Sequence, residues 1–296
     1  MATEKISTDR VTLPGAGLEL AADRWAAGPD ARGVVVLLHG GGQTRHSWRT
    51  TGQQLARLGW VTYAVDLRGH GDSEWASDAD YGLSSHLGDL LALTAEIRRR
   101  EPGLPLSLVG ASLGGVISLI AVGENKGLAQ ALVLVDVAAR IEENGSARVR
   151  DFMMSAPNGF ESLEQASEAI ANYNPHRRRS GSLEGLKKNL RLRDGRWHWH
   201  WDPRSLEVEH SADSPEHPNS AAVYERSRMA ARHVDCPFLL VRGRMSDVVS
   251  DAGVAEMQEL IPQTEVIDVR NAGHMVVGDD NDVFTEGLAG FLDRIG

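Results

Sequence analysis

The sequence predicts an α/β protein built on a mostly parallel, doubly wound sheet of eight strands. Short apolar runs rich in valine and leucine alternate with segments of helical periodicity over the first 137 residues, and the alternation returns after residue 234. Continuous apolar runs of this kind are typical of strands that helices cover on both faces. Strands that alternate with helices in this way favour a parallel sheet.

The eight predicted strands follow one another in a simple order. The first two form an antiparallel hairpin around Pro14-Gly15, and the other six are short apolar runs. The strands are predicted at residues 11–13, 17–25, 34–38, 61–65, 104–109, 131–135, 238–241 and 265–269. Helices are predicted at 54–58, between Leu83 and Ile97, after Leu113, at 254–261 and at 284–292.

A long segment without an apolar strand interrupts the alternation. It is charged, and helices are predicted in it at 142–155, 162–172, 183–190 and 221–233. Ser162 and Gln165 have the spacing of a capping box at the second of these helices. We therefore predict a core of residues 1–137 and 234–296, with 138–233 inserted as a helical lid over the carboxyl edge of the sheet.

The most informative short motif is Gly110-Ala111-Ser112-Leu113-Gly114. It lies between a predicted strand and a segment with apolar residues at helical spacing. This context is typical of a nucleophile elbow, in which a tight turn holds the serine hydroxyl above the sheet. The helix N-terminus behind the serine favours developing negative charge. Ser112 is therefore the candidate nucleophile.

Composition limits the classes of partner and the compartment. The chain has 296 residues, 42% of them hydrophobic, which suits one large α/β domain. Its net charge of −10 argues against a nucleic-acid or membrane partner. Cys236 is the one cysteine in the sequence, so neither an internal disulfide nor a cysteine-based metal cluster is expected. The first residues lack the apolar core of a signal peptide, and a cytoplasmic protein is expected.

Five motifs in this chain resemble those of the α/β-hydrolase superfamily and occur in the same order. They are the segment from His39-Gly40-Gly41-Gly42 to Trp48, Asp66-Leu67-Arg68-Gly69-His70-Gly71-Asp72-Ser73, the 110–114 elbow, Arg242-Gly243-Arg244-Met245-Ser246-Asp247 and Asn271-Ala272-Gly273-His274. The first two are similar to segments of epoxide-hydrolase-like and esterase-like members. The resemblance covers nearly the whole chain apart from the lid, and it implies an α/β-hydrolase fold with a serine–acid–histidine triad.

The resemblance also implies a role for each residue of the triad. Ser112 needs a base to accept its proton, and His274 has the family's position for that base. The expected acid is Asp247, with Asp136 at the end of a predicted strand as the alternative, since some members place the acid there. The implied oxyanion hole consists of the backbone N–H groups of Gly41 and Leu113.

Several other side chains are candidates for contact with a substrate. Arg45 and His46 follow the glycine loop and are positioned to recognise a polar or anionic group at the mouth of the site. The remaining candidates are Phe152, Met153, Trp199 and Met275. His198 and His200 alternate with tryptophans, but no third ligand is in position, so a metal site is not expected. The tryptophans are expected to pack the lid on the core or to line an apolar pocket.

A serine nucleophile in this family narrows the predicted chemistry. Epoxide hydrolases and haloalkane dehalogenases of this fold use a carboxylate nucleophile, so Ser112 argues against both. We predict a cofactor-free hydrolase of small or medium, partly apolar carboxylic esters that forms an acyl-enzyme intermediate. Two alternatives stay open: a C–C bond hydrolase or lyase in the same pocket, and a slow or non-catalytic small-molecule receptor. A monomer or homodimer is expected.

Overall fold

The structure is a computed structural model that describes residues 7–28, 30–173, 183–206, 219–270, 272–274 and 282–295. The described part of the chain contains ten strands: β1 Thr8–Pro14, β2 Glu19–Trp25, β3 Gly33–Leu38, β4 Trp60–Val65, β5 Leu106–Ala111, β6 Ala131–Val135, β7 Leu190–Arg193, β8 Arg196–Trp199, β9 Phe238–Gly243 and β10 Thr264–Val269. Its α-helices are α1 Arg49–Arg57, α2 Leu83–Arg100, α3 Leu113–Glu124, α4 Glu143–Met154, α5 Leu163–Tyr173, α6 Ser220–Ala231, α7 Asp251–Leu260 and α8 Asp282–Asp293. None of these helices is long and apolar enough to cross a lipid bilayer.

Eight of the strands form one sheet, in the order β1-β2-β4-β3-β5-β6-β9-β10. β2 pairs antiparallel with both β1 and β4. The other pairs of the sheet, which join β4, β3, β5, β6, β9 and β10 in that order, are parallel. The predicted mostly parallel, eight-stranded sheet is therefore confirmed. Because parallel strands end at the same edge, the loops after β3, β5, β6, β9 and β10 meet there, where open α/β sheets bind ligands.

The central strands are apolar because helices cover both faces of the sheet. All six residues of β3 are buried, and alternate side chains point to opposite faces. Val34, Val36 and Leu38 pack in one hydrophobic cluster, and Val35 and Leu37 pack in the other. Continuous burial explains why these strands read as uninterrupted apolar runs in the sequence.

The segment predicted as a lid differs from the expectation in two places. A 3-10 helix at Leu183–Lys188 leads into β7, which pairs with β8 as an antiparallel hairpin. The hairpin turns at Asp194-Gly195, where both φ angles are positive, 49° and 77°. This Asp-Gly turn is a strong hairpin signal, and the prediction of a helix at 183–190 overlooked it.

The second difference concerns α6, at the end of the predicted 138–233 insertion. This helix packs on α3, where a Cβ on Gly123 would come within 2.5 Å of the Ala230 carbonyl carbon. Ala230 and Ala231 are buried in the same cluster as the inner residues of α3. α6 therefore flanks the sheet. Among the described residues, we use the name lid for α4, α5 and the β7–β8 hairpin.

Candidate active site

Ser112 occupies a sharp turn between β5 and α3. Its backbone has φ 45° and ψ −116°, a conformation that costs a non-glycine residue on the order of 1–3 kcal/mol. The turn requires glycine on both sides. A Cβ on Gly110 would collide with the Gly114 carbonyl, and a Cβ on Gly114 would lie 2.6 Å from the Leu38 carbonyl oxygen. The pentapeptide thus forms the strained strand-to-helix turn that its spacing predicts.

Neighbouring strand ends hold this turn in place. Ser112 N donates to the Val135 carbonyl at the end of β6 (3.2 Å), and Gly114 N donates to the His39 carbonyl after β3 (3.2 Å). The loop after β3 also approaches the serine directly, since a Cβ on Gly40 would lie 3.1 Å from Ser112 Cβ. These contacts fix the serine against the glycine loop.

His274 is oriented by a buried carboxylate. Its Nδ1 lies 2.8 Å from Asp136 Oδ2, and the two side chains are 9% and 1% exposed. Asp136 follows β6 directly and has a positive φ of 50°. The carboxylate accepts the Nδ1 proton, which leaves Nε2 as the ring nitrogen able to accept another proton.

Two further donors hold the Asp136 carboxylate in place. Gly243 N donates to Oδ1 at 2.9 Å, and the Ser246 hydroxyl donates to Oδ2 at 2.6 Å. Ser246 Oγ itself accepts from the backbone N–H groups of Val248 (3.1 Å) and Val249 (3.4 Å). Because these donors occupy its lone pairs, the hydroxyl proton points to Asp136. Nothing in the sequence pattern singled out Ser246.

The expected contact between Asp247 and His274 is wrong. Asp247 pairs instead with Arg148 of α4, through Nε to Oδ2 at 2.9 Å and Nη2 to Oδ1 at 3.0 Å. Its side chain is 37% exposed, and a Cβ on Gly145 of α4 would lie 2.6 Å from its carbonyl carbon. Asp247 therefore faces α4 rather than the histidine, and Asp136, the alternative in the sequence analysis, is the carboxylate against His274.

The oxyanion hole was predicted to consist of the backbone N–H groups of Leu113 and Gly41, whose surroundings the structure describes. Leu113 is the first residue of α3, so its N–H has no partner within the helix. Across the described part of the chain, neither Leu113 N nor Gly41 N donates a hydrogen bond to a protein acceptor. The positive end of α3 adds to the attraction for an anion at this point.

Two buried histidines hold the glycine loop. His39 Nε2 accepts from Leu67 N at 3.0 Å, and His70 Nε2 accepts from Gly42 N at 3.2 Å. In each ring Nδ1 then carries the proton and donates to a carbonyl, that of Gly40 (2.8 Å) or Arg68 (3.0 Å). Burial lowers the pKa of both histidines, most strongly that of His39. Both rings are therefore neutral supports of the loop.

Arg45 does not reach the mouth of the site, and its predicted contact with a substrate is wrong. It is 3% exposed and pairs with three carboxylates: Asp23 at 2.9 Å, Asp72 at 2.9 Å and the fully buried Asp66. His46 lies 3.7 Å from the same Asp23, and burial together with the charge of Arg45 lowers its pKa. Arg45 therefore anchors the loop after β3 to the core, and the contact of His46, whose side chain is 23% exposed, with a substrate stays a prediction.

The lid supplies the predicted aromatic and thioether side chains. Met153 covers the glycine loop, with its Cε 3.2 Å from the position of a Cβ on Gly42. Phe152 stacks on Tyr173 (4.2 Å between centroids) and meets Trp199 edge-on (5.6 Å). The predicted candidate Met275 lies outside the described residues.

A cavity of about 120 Å³ lies in the lid beside Met153. Trp201, whose backbone bridges to His70, and Trp199 form two of its walls. His198 also lines it and packs on Gly159, where a Cβ would lie 2.9 Å from the ring. Among the described residues, no group of three or more histidine, cysteine or acidic side chains is arranged to hold a metal ion.

Comparison with known proteins identifies the family. A family model described as alpha/beta hydrolase fold matches residues 33–280. The chain belongs to the α/β-hydrolase family. This α/β-hydrolase is 30% identical over 268 residues to "Esterase Rv0045c" of Mycobacterium tuberculosis, and the alignment covers 88% of this chain and 82% of the relative. It is 28% identical over 265 residues to "N-formylmaleamate deformylase" of Pseudomonas putida, covering 88% and 89%.

Solved structures agree with the family. A crystal structure of E-2-(acetamidomethylene)succinate hydrolase matches this α/β-hydrolase with a TM-score of 0.79 at 20% identity, over 97% of this chain and 100% of that one, which supports the fold. A structure of the M. tuberculosis esterase Rv0045c matches with a TM-score of 0.73 at 28% identity, over 97% and 92%. The chain is thus an α/β-hydrolase with an esterase among its relatives.

Proposed function

We propose that the protein is a cofactor-independent serine hydrolase of carboxylic esters, with Ser112 as nucleophile, His274 as general base and Asp136 as the acid that orients the histidine. The observation that carries the proposal is the 2.8 Å contact between His274 Nδ1 and the buried Asp136 carboxylate, on the same sheet edge as the strained Ser112 turn. A serine, a histidine and a carboxylate so disposed are the groups that acyl transfer needs.

Acylation uses each of these groups once. His274 Nε2 takes the Ser112 Oγ proton as Oγ attacks the ester carbonyl carbon, and the carbonyl oxygen becomes an oxyanion. The N–H groups of Gly41 and Leu113 receive that oxyanion, and Asp136 stabilises the imidazolium. The tetrahedral intermediate then expels the alcohol oxygen, which takes the proton from His274 Nε2, and the acyl group stays on Ser112.

Deacylation repeats the same proton movements with water. His274 Nε2 removes a proton from a water molecule, whose oxygen attacks the acyl carbonyl carbon. The second tetrahedral intermediate breaks its bond to Ser112 Oγ, which recovers the proton from His274. The products are a carboxylic acid and the alcohol released earlier, so the sequence of steps needs no metal, oxidant or reductant.

The names of the relatives support this chemistry at different strengths. The esterase from M. tuberculosis favours an ester substrate. The deformylase from P. putida, matched at similar coverage, favours a second candidate: hydrolysis of an N-acyl bond by the same acyl transfer. The two bonds differ in the leaving group, since an amine needs protonation by His274 more than an alcohol does.

Labelling and turnover test the proposal together. A fluorophosphonate is expected to modify Ser112 stoichiometrically, by intact-mass and peptide mass spectrometry, and the label is expected to disappear in Ser112→Ala and to fall strongly in His274→Ala. A series of p-nitrophenyl esters from acetate to decanoate is expected to be hydrolysed, with matching p-nitroanilides as the N-acyl arm. Folded protein that takes up no label and turns over neither series contradicts the proposal and favours the receptor alternative.

A further inference from the structure

Two residues that line the lid cavity also contact the glycine loop or the histidine that holds it. Met153 lines the cavity and also covers Gly41 and Gly42. Trp201 lines it and bridges to His70, whose Nε2 accepts the Gly42 N–H. The cavity is therefore built against the loop that carries one of the free N–H donors beside Ser112.

The size and lining of the cavity suit a compact apolar group. Its lining is mostly hydrophobic and includes Met153, Met154, Ala156, Trp199 and Trp201. At about 120 Å³ it approaches the roughly 150 Å³ of an apolar protein cavity that stays dry and binds benzene. A ring or a chain of about four methylene groups fits this space, and each buried methylene is worth about fourfold in affinity.

One arginine lines this cavity and has no acidic partner among the described residues. Arg193, an exposed residue of β7, lines the cavity and lies over the Trp75 ring, 5.5 Å from its centroid. One of its nitrogens reaches the Trp199 carbonyl at 3.5 Å, and no carboxylate of the described residues lies within 4.0 Å of it. Its neighbours differ: Arg191 pairs with Asp72 (3.2 Å) and Arg196 with Glu161 (3.3 Å).

A guanidinium with no carboxylate partner among the described residues, beside an apolar cavity, favours a carboxylate ligand. Arginine presents parallel N–H donors that match the two oxygens of a carboxylate, and such bonds are stronger than neutral ones. Arg193 belongs to a basic stretch that also contains Lys187, Lys188, Arg191 and Arg196, and it is the arginine of that stretch that lines the cavity.

We propose that the cavity is a subsite for the non-reacting end of the substrate, and that the substrate is an ester whose far end is a short apolar chain or ring terminated by a carboxylate. The apolar part occupies the cavity, and the carboxylate binds Arg193. The inference rests on the proposed ester hydrolysis at Ser112 and names the class of ester.

Two esters of equal length test the inference. Mono-p-nitrophenyl adipate and p-nitrophenyl hexanoate share the leaving group and differ at the far end, carboxylate against methyl. The wild-type protein is expected to have the higher kcat/KM for the adipate. Arg193→Gln is expected to lower kcat/KM for the adipate about tenfold and to leave the hexanoate within about twofold, since a charge-assisted hydrogen bond is lost only with the first ester. Arg193→Glu is expected to lower kcat/KM for the adipate further, because its carboxylate repels that of the ester.

A second substitution tests the cavity itself. Ala156→Phe is expected to fill it and to lower, at least tenfold, the ratio of kcat/KM for each six-carbon ester to kcat/KM for p-nitrophenyl acetate. Lys126→Gln is the matched control, since it removes one positive charge from a side chain that is 89% exposed, after α3 and remote from the carboxyl edge of the sheet. Lys126→Gln is expected to leave kcat/KM for each of these esters unchanged.

The outcomes separate the inference from the proposed function. If the wild-type protein shows neither labelling of Ser112 nor hydrolysis of p-nitrophenyl acetate, both the proposed function and the inference are overturned. The second outcome overturns the carboxylate contact alone. In it, labelling and acetate hydrolysis are normal, and neither Arg193→Gln nor Arg193→Glu changes the ratio of kcat/KM for the adipate to kcat/KM for the hexanoate. Unchanged hydrolysis of the six-carbon esters by Ala156→Phe, with a wild-type circular dichroism spectrum, overturns the subsite.

Discussion

The choice between Asp136 and Asp247 makes the sharpest prediction. Asp136→Asn keeps the shape of the side chain and removes the charge that faces His274 Nδ1 at 2.8 Å. An amide at this buried position offers N–H where the ring needs an acceptor, so the histidine is held in the wrong tautomer or turned away. In a serine protease triad the same change lowers kcat about 10⁴-fold, which corresponds to about 5.4 kcal/mol of transition-state stabilisation.

Asp247→Asn is the matched substitution. It removes an ion pair to Arg148 whose partners are 46% and 37% exposed, and such exposed pairs contribute about 0–1 kcal/mol to folding. Its kcat is expected to stay within about twofold of the wild-type value, with a small fall in thermal midpoint. The measurement is kcat and KM for p-nitrophenyl butyrate, with the acyl-enzyme burst read by stopped flow and folding checked by circular dichroism.

Either of two results refutes the assignment. Asp136→Asn with more than a tenth of wild-type kcat contradicts the role of Asp136. A loss of 10³-fold or more in folded Asp247→Asn restores the acid expected from the sequence pattern.

Three further predictions concern Ser246, the buried His86 of α2 and Arg45. Ser246→Ala removes the 2.6 Å bond to Asp136 but leaves that from Gly243, so kcat is expected to fall about tenfold with KM unchanged and to recover in Ser246→Thr; an unchanged kcat contradicts a positioning role. Burial, with the charge of Arg68, lowers the pKa of His86 to about 3, so the folded state stays neutral there while the unfolded state gains a proton below about pH 6.5. Stability is then lost as pH falls from about 6.5 towards 3, and His86 contributes about 1.4 kcal/mol per pH unit to that loss. His86→Leu is expected to reduce the slope of unfolding free energy between pH 6.5 and 4.5, measured in urea, by that amount, while the contributions of His39 and His70 remain; parallel slopes contradict it. Arg45→Met leaves Asp66 buried without its cation and is expected to cost about 3–5 kcal/mol of stability with KM unchanged, whereas a tenfold rise in KM would reinstate the substrate contact.

The core and the serine turn were predictable because they depend on local pattern. An apolar run before Gly110 and helical spacing after Ser112 are visible over some twenty residues, and the strain at Ser112 follows from that local turn. The same holds for Asp136, which directly follows an apolar strand and is for that reason placed at the functional edge of the sheet.

The partner of His274 was not predictable with the same certainty because it depends on tertiary distances. Asp136 and Asp247 both follow parallel strands that end at one edge, and their order along the chain does not say which carboxylate comes within 3 Å of the ring. In the structure the Ser246 hydroxyl donates to Asp136, and the next residue, Asp247, pairs with Arg148 of α4. For Arg45 the limit is similar, since its three acidic partners come from separate segments.

Helix α4 contacts both sides of the site. At one end Gly145 packs on the Asp247 backbone and Arg148 pairs with its carboxylate, next to the Ser246 that holds Asp136. At the other end Met153 covers Gly41 and Gly42. A shift of α4 is therefore expected to disturb the proposed acid and the proposed oxyanion donors together, whereas Arg193 on the hairpin lines the cavity and contacts Trp75 and Trp199. Substitutions in α4 are expected to alter kcat and KM jointly, and Arg193 substitutions are expected to alter selectivity among esters.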